Sequence, residues 1–259
     1  MTHLHHVGTT EGALVSRAGL GDDTAFDALV ARPHGAVTLL ARLIAPDGRR
    51  RALVLDTFAV AHASMRAMLG PTEAVRPFLL MTACRQLEQP TQGMSGAAHV
   101  LSAVPFRDPM PGEMHPDVAA EFSRLPEAWQ LLVWQLEAEG DSVPEAAALI
   151  GVSPLVVPAL VAGARASLRR ALLERHRSRR LPPACLAHTL RLGRSVGSRP
   201  PRVVLRHSAQ CERCAVLLGD LDAVERDLGE VVARHLLGRA AEDYMAVRRT
   251  GAARRAVTP

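Results

Sequence analysis

The chain has 259 residues, of which 48% are hydrophobic and 22% charged: enough apolar matter for buried cores and too much for disorder throughout. Aromatic residues make up only 3%, which argues against the stacking platforms that hold single-stranded nucleic acid. The formal charge is +5 and all 31 basic residues are arginine, a bias that fits a GC-rich genome as well as bidentate phosphate binding and so decides no function.

In chain order, residues 1–10 read as a flexible tail, which places His3, His5 and His6 on a mobile end rather than in a chelating site. The N-terminus lacks a basic-then-apolar secretory layout, so a cytoplasmic protein is expected. Residues 11–90 form a first helical block. Apolar residues recur three and four apart over 25–30, 36–44 and 51–68, with breaks at Pro46-Asp47-Gly48 and Gly70-Pro71-Thr72. Residues 91–117, rich in proline, read as a linker, and 118–180 as a second helical block. Within it, 146–164 is a run of nineteen uncharged residues that imitates a membrane span. Pro154, Pro158 and the Gly151-Val152-Ser153 turn signal divide it into two helices, so no membrane span is expected. Residues 181–238 form a third block and 239–259 a basic tail carrying Arg248, Arg249, Arg254 and Arg255, expected to be largely disordered. No stretch alternates as a strand does. The expected fold is all-α.

Charge is segregated. Residues 117–145 carry seven acids against one arginine, and 165–206 carry twelve arginines against one acid. Such blocks mark a nucleic-acid surface, two segments that pair with each other, or merely solvated faces.

Cysteines occur at 84, 185, 211 and 214. Cys84 lies in an apolar helical stretch and reads as a core residue. His207-Ser208-Ala209-Gln210-Cys211-Glu212-Arg213-Cys214 is a His-x3-Cys-x2-Cys run opening an amphipathic helix. Side chains at that spacing converge on one tetrahedral ion, and soft, anionic thiolates suit Zn²⁺. Cys185 supplies a fourth ligand, with His188 one turn later as its substitute. The alternative is a pair of unligated or redox-active thiols. Four protein ligands close the shell, so a structural site is expected. No nucleophile elbow, phosphate loop, dinucleotide fingerprint or zincin motif occurs. An enzyme is not expected.

Ala52-Leu53-Val54-Leu55-Asp56-Thr57-Phe58 and Val75-Arg76-Pro77-Phe78-Leu79-Leu80 in the first block, then Leu125-Pro126-Glu127 and the run 145–153 in the second, resemble in order and spacing the motifs of extracytoplasmic-function sigma factors. The resemblance implies a region 2-like domain that contacts core RNA polymerase, with Asp56 as a polymerase contact. It also implies a region 4-like helix-turn-helix domain on promoter DNA. The third block is similar to zinc-binding anti-sigma domains, in which a helix-borne ligand precedes His-x3-Cys-x2-Cys. The departures are informative. Where the family carries Lys or Arg, Ser, Arg and a further Arg on its recognition helix, this chain has Pro158, Ala159, Leu160 and Gly163. Arg165, Arg169 and Arg170 remain as DNA-binding candidates suited to phosphates, which predicts weakened or lost base reading. Pro158 either kinks that helix or shifts its start. The apolar row Leu155, Val156, Leu160 and Val161 favours a protein-facing surface. Two functions follow as expectations: a sigma-like transcription regulator with a fused zinc domain that stabilises or masks it, or a degenerate module that kept the fold and binds proteins.

Overall fold

Helix starts are written into the sequence as caps. In the computed structural model, which describes residues 9–88, 115–194 and 200–257, the Thr10 hydroxyl accepts the Ala13 N–H at the start of α1 (Glu11–Gly19). The Asp22 carboxylate does the same for Ala25 at the start of α2 (Asp23–Ala31). Helix α3 (His34–Ile44) ends before Pro46, α4 (Asp47–Arg66) begins directly after it, and α5 (Val75–Glu88) follows the Gly70-Pro71 break. Both expected breaks are therefore present. Most of the proline-rich linker, residues 89–114, lies outside the described residues.

The second block opens with α6 (Pro116–Phe122) and α7 (Glu127–Val133), the latter running into one π-helical turn over Trp134–Ala138. A reciprocal capping box between Ser142 and Glu145 starts α8 (Val143–Ile150). Gly151 closes it in the left-handed region at φ 71°, a conformation that costs glycine little. After one 3₁₀ turn over Pro154–Val156 comes α9 (Val157–Ser178). Pro158 sits in its first turn, where its missing N–H is harmless, so it sets the start of the helix and does not kink it. Among the described residues no single helix is long and apolar enough to cross a membrane. The α8 and α9 pair passes by length and composition together, but it bends by 105°.

The third block supplies α10 (Pro183–Arg194), α11 (Arg202–Gln210), α12 (Glu212–Arg226) and α13 (Leu228–Leu237). The expected basic tail is instead α14 (Ala241–Val257). Ala241, Tyr244 and Met245, at helical spacing, are all buried, and Arg248 finds buried carboxylates, so apolar burial and ion pairing together order the segment. The described residues are helical or irregular, with no strand among them.

The three sequence blocks share one core. Its largest apolar cluster runs from Leu14 in α1 to Met245 in α14. Helix α13 lies at its centre, against α5, α6, the π turn and α14. At Gly229 the approach is backbone to backbone: a Cβ there would stand 2.4 Å from the Glu137 carbonyl oxygen. The first two blocks also meet directly, because one Glu127 carboxylate oxygen accepts the backbone N–H groups of Thr72, Glu73 and Ala74 at 2.7, 2.8 and 3.2 Å.

Candidate metal centre

Cys185 lies in the first turn of α10, and His207 in the last turn of α11. Cys211 is the extended residue between α11 and α12 (φ −132°, ψ 104°), and Cys214 lies in the first turn of α12. That sharp junction folds α11 back on α12 and brings the four side chains together. Their ligand atoms all lie within 4.8 Å of one another, and the Cys185 and Cys211 sulfurs are 3.7 Å apart. The group can hold a metal ion. His207 Nε2 is buried and has no hydrogen-bond partner among the described residues, as fits a nitrogen placed to coordinate. His188, the proposed substitute, instead places Nε2 at 3.3 Å from the Ser208 hydroxyl, with its ring 4.6 Å from that of His207. Cys185 is therefore the fourth member of the cluster.

The electrostatics suit a cation. Backbone N–H groups at the start of α12, that of Cys214 foremost, hold the Cys211 thiol below its ordinary value. Burial first, then hydrogen bonds among the neighbouring sulfurs, push the Cys214 thiol up to about 12. Burial, with His207, His176 and Arg191 nearby, pushes His188 down to about 4. Three thiols and an imidazole in one partly buried corner make an anionic, soft donor set once the thiols are deprotonated, and a divalent ion supplies the missing counter-charge.

The arginines proposed for DNA take intramolecular partners. Arg165 pairs with Glu137 at 2.6 Å and donates to the carbonyls of Val224 and Glu225. Arg169 pairs with the Glu225 carboxylate, while Arg170 is exposed. Further along α9, Arg175 meets Asp117 at 2.9 Å and Glu121 at 3.3 Å, and Arg179 meets Asp117 at 2.9 Å. The acidic and basic blocks thus pair with each other, one of the arrangements their segregation allows. Asp56 stands exposed on α4 beside the exposed Leu55. Leu155 is 90% exposed and Val156 44%, whereas Leu160 and Val161 pack partly against the α8–α9 core, so only half of the expected apolar row faces solvent.

A second polar cluster escaped the sequence reading. Arg76 on α5 donates to Gln135 at 2.8 Å and pairs with Glu139 and with Asp141 at 3.0 Å. Arg248 on α14 reaches the same two carboxylates at 2.8 and 3.2 Å, and the Tyr244 hydroxyl donates to Glu139 at 2.5 Å. Two guanidiniums, one from α5 and one from α14, thus meet two carboxylates of residues 139–141, Glu139 buried and Asp141 partly so. Burial, reinforced by Glu139, raises the Asp141 carboxyl above its usual range. Nearby, Glu11 is 3% exposed and its Oε2 lacks a partner among the described residues. Burial pushes that carboxyl up to about 8 against the pull of Arg76 and Arg32. Arg76 belongs to a motif quoted above, but its carboxylate partners lie 63 and 65 residues away, and spacing along the chain does not announce them.

No family model matches the sequence, and no curated protein matches it. Among solved structures, the chain is similar to the structure of CnrH in complex with the cytosolic domain of CnrY. The match has 26% identity over 63% of this chain and 97% of that one, with a TM-score of 0.30.

Proposed function

We propose that the chain is a sigma-factor-like transcription regulator whose C-terminal, metal-bearing segment holds the two sigma-like blocks in a closed arrangement. The observation that carries this reading is the placement of the C-terminal segment. Helix α13 is buried against helices of both earlier blocks, and Glu225 of α12 occupies Arg169 while its backbone occupies Arg165. On this reading Arg165, Arg169 and Arg170 are phosphate contacts, two of them masked, and Asp56 is a polymerase contact. The ion held by Cys185, His207, Cys211 and Cys214 is Zn²⁺, since three thiolates and one imidazole make a closed tetrahedral set for it. Its task is structural, and the protein acts by binding, in the cytoplasm, without catalysis. The α8–α9 pair, two helices set at 105° across a glycine turn, has the proportions of a DNA-binding helix-turn-helix.

A second reading is favoured by the start of α9. Leu155 and Val156 are exposed, and residues 154–164 contain no charged side chain to reach a phosphate or a base edge. On that reading the closed arrangement presents a surface to a protein partner.

The test compares the full chain with Glu225→Gln and with Arg248→Met, measuring binding to core RNA polymerase and to promoter fragments at several salt concentrations. The first reading expects both substitutions to strengthen DNA binding, with a steep salt dependence. Replacing Arg165, Arg169 and Arg170 by alanine should then remove the gain and lower the salt slope. Absence of polymerase and DNA binding in every variant overturns it in favour of the second.

A further inference from the structure

His176, in the last turns of α9, is 4% exposed, and its Nε2 lies 3.8 Å from the Cys214 sulfur. It belongs to the second sequence block and Cys214 to the third. The side chain is outside the set of four mutually close ligands. An imidazole carrying its proton on Nε2 is a hydrogen-bond donor, and a buried thiolate is an acceptor with few alternatives. Eleven residues earlier on α9, Arg165 donates to the carbonyls of Val224 and Glu225, ten and eleven residues beyond Cys214 on α12. The two helices therefore run antiparallel over about three turns. They are pinned at one end by an arginine and at the other by an imidazole on a sulfur.

We propose that His176 is a positioning residue for the metal centre: it donates Nε2–H to the Cys214 thiolate and so couples metal occupancy to the seat of α9. The inference rests on the metal reading above. An N–H donor on a metal-bound sulfur withdraws charge from it and fixes its direction. Loss of such outer partners typically weakens metal binding about 10- to 100-fold. Because the donor comes from α9, a bound metal also strengthens the α9–α12 contact by the same factor, as linkage requires. The chain thereby joins a metal signal to the helix that carries Arg165, Arg169 and Arg170.

The experiment titrates the full chain with Co²⁺ alone, following the d–d bands, the thiolate-to-cobalt charge-transfer band and the affinity in competition with a chelator. Wild type, His176→Leu, His176→Gln and Cys185→Ser are compared. Wild type should give a tetrahedral, thiolate-rich spectrum. His176→Leu should keep the d–d pattern, shift the charge-transfer band and bind about 10- to 100-fold more weakly. His176→Gln, whose amide restores a donor near the same position, should recover most of both. Cys185→Ser should change the d–d bands themselves. If wild type gives no tetrahedral spectrum, the metal reading fails and the inference falls with it. If wild type binds and His176→Leu matches it in band position and affinity, the metal reading stands and the role of His176 is overturned. If His176→Leu reproduces the d–d change of Cys185→Ser, His176 is a ligand and the positioning role is likewise overturned.

Discussion

Helices α11 and α13 have nine and ten residues, yet α11 buries two of them, Val204 and Ser208, and α13 buries eight. Both belong to the C-terminal third of the chain and both help to hold it to the rest, by different physics. Helix α13 is apolar around most of its circumference, as suits a helix in the middle of a core. Around α10 and α11 the buried apolar set is thin, and Cys185, His188 and His207 occupy positions that leucines fill elsewhere. A region with so small a core needs a covalent or metal staple to stay folded. On the metal reading proposed above, one arm of the C-terminal segment is conditional on an ion, and the other is built in.

The sharpest way to break this contrast is to remove the metal. Chelation should abolish amide protection across α10, α11 and the first turn of α12 while leaving α13 protected, as hydrogen exchange followed by mass spectrometry would read. Equal loss in both regions would mean that the two arms fold as one.

Away from the cysteine cluster, charge obeys burial. Glu11, pushed up to about 8 from an ordinary 4.5, favours the folded state only while protonated. Its contribution is complete below pH 4.5, falls as pH rises through 8, and levels off above that. Urea denaturation should show stability declining between pH 4.5 and about 8 by up to about 5 kcal/mol, with Glu11→Gln removing the decline. Arg76→Met removes one of the two guanidiniums that meet the carboxylates of Glu139 and Asp141, and should cost about 3–5 kcal/mol by the same measurement at neutral pH. Chelator should not change that cost. The smallest effect is expected at Gly229. Alanine there collides with the Glu137 carbonyl and should lower stability by about 1–3 kcal/mol, read as a shift in the urea midpoint without loss of bound metal.

The contrast also explains what could be read from the sequence. His207, Cys211 and Cys214 are local, so their spacing announced the centre, and Cys185 needed only the assumption of a fourth ligand. Helix boundaries at Pro46, Gly70 and Gly151 were legible because backbone preference acts within a few residues. The docking of α14 was hidden, since Arg248 and its arginine neighbours look like a solvated tail until Glu139 and Asp141, more than a hundred residues away, are brought to meet them. The intramolecular partners of Arg165 and Arg169 were hidden in the same way, because a free cation and one paired with Glu137 or Glu225 have the same letters. His176 carried no signal at all: its partner is a sulfur 38 residues distant, and no motif joins them.

The contact of Glu127 with residues 72–74 bears on ancestry. A single carboxylate serves three amides of another block, and because those donors are backbone, only the acid depends on which residue is inherited. Recombination between relatives should preserve the contact wherever the incoming second block carries an acid at position 127. A chimaera joined at the proline-rich stretch therefore stands or falls on that one position, whatever residues occupy 72–74.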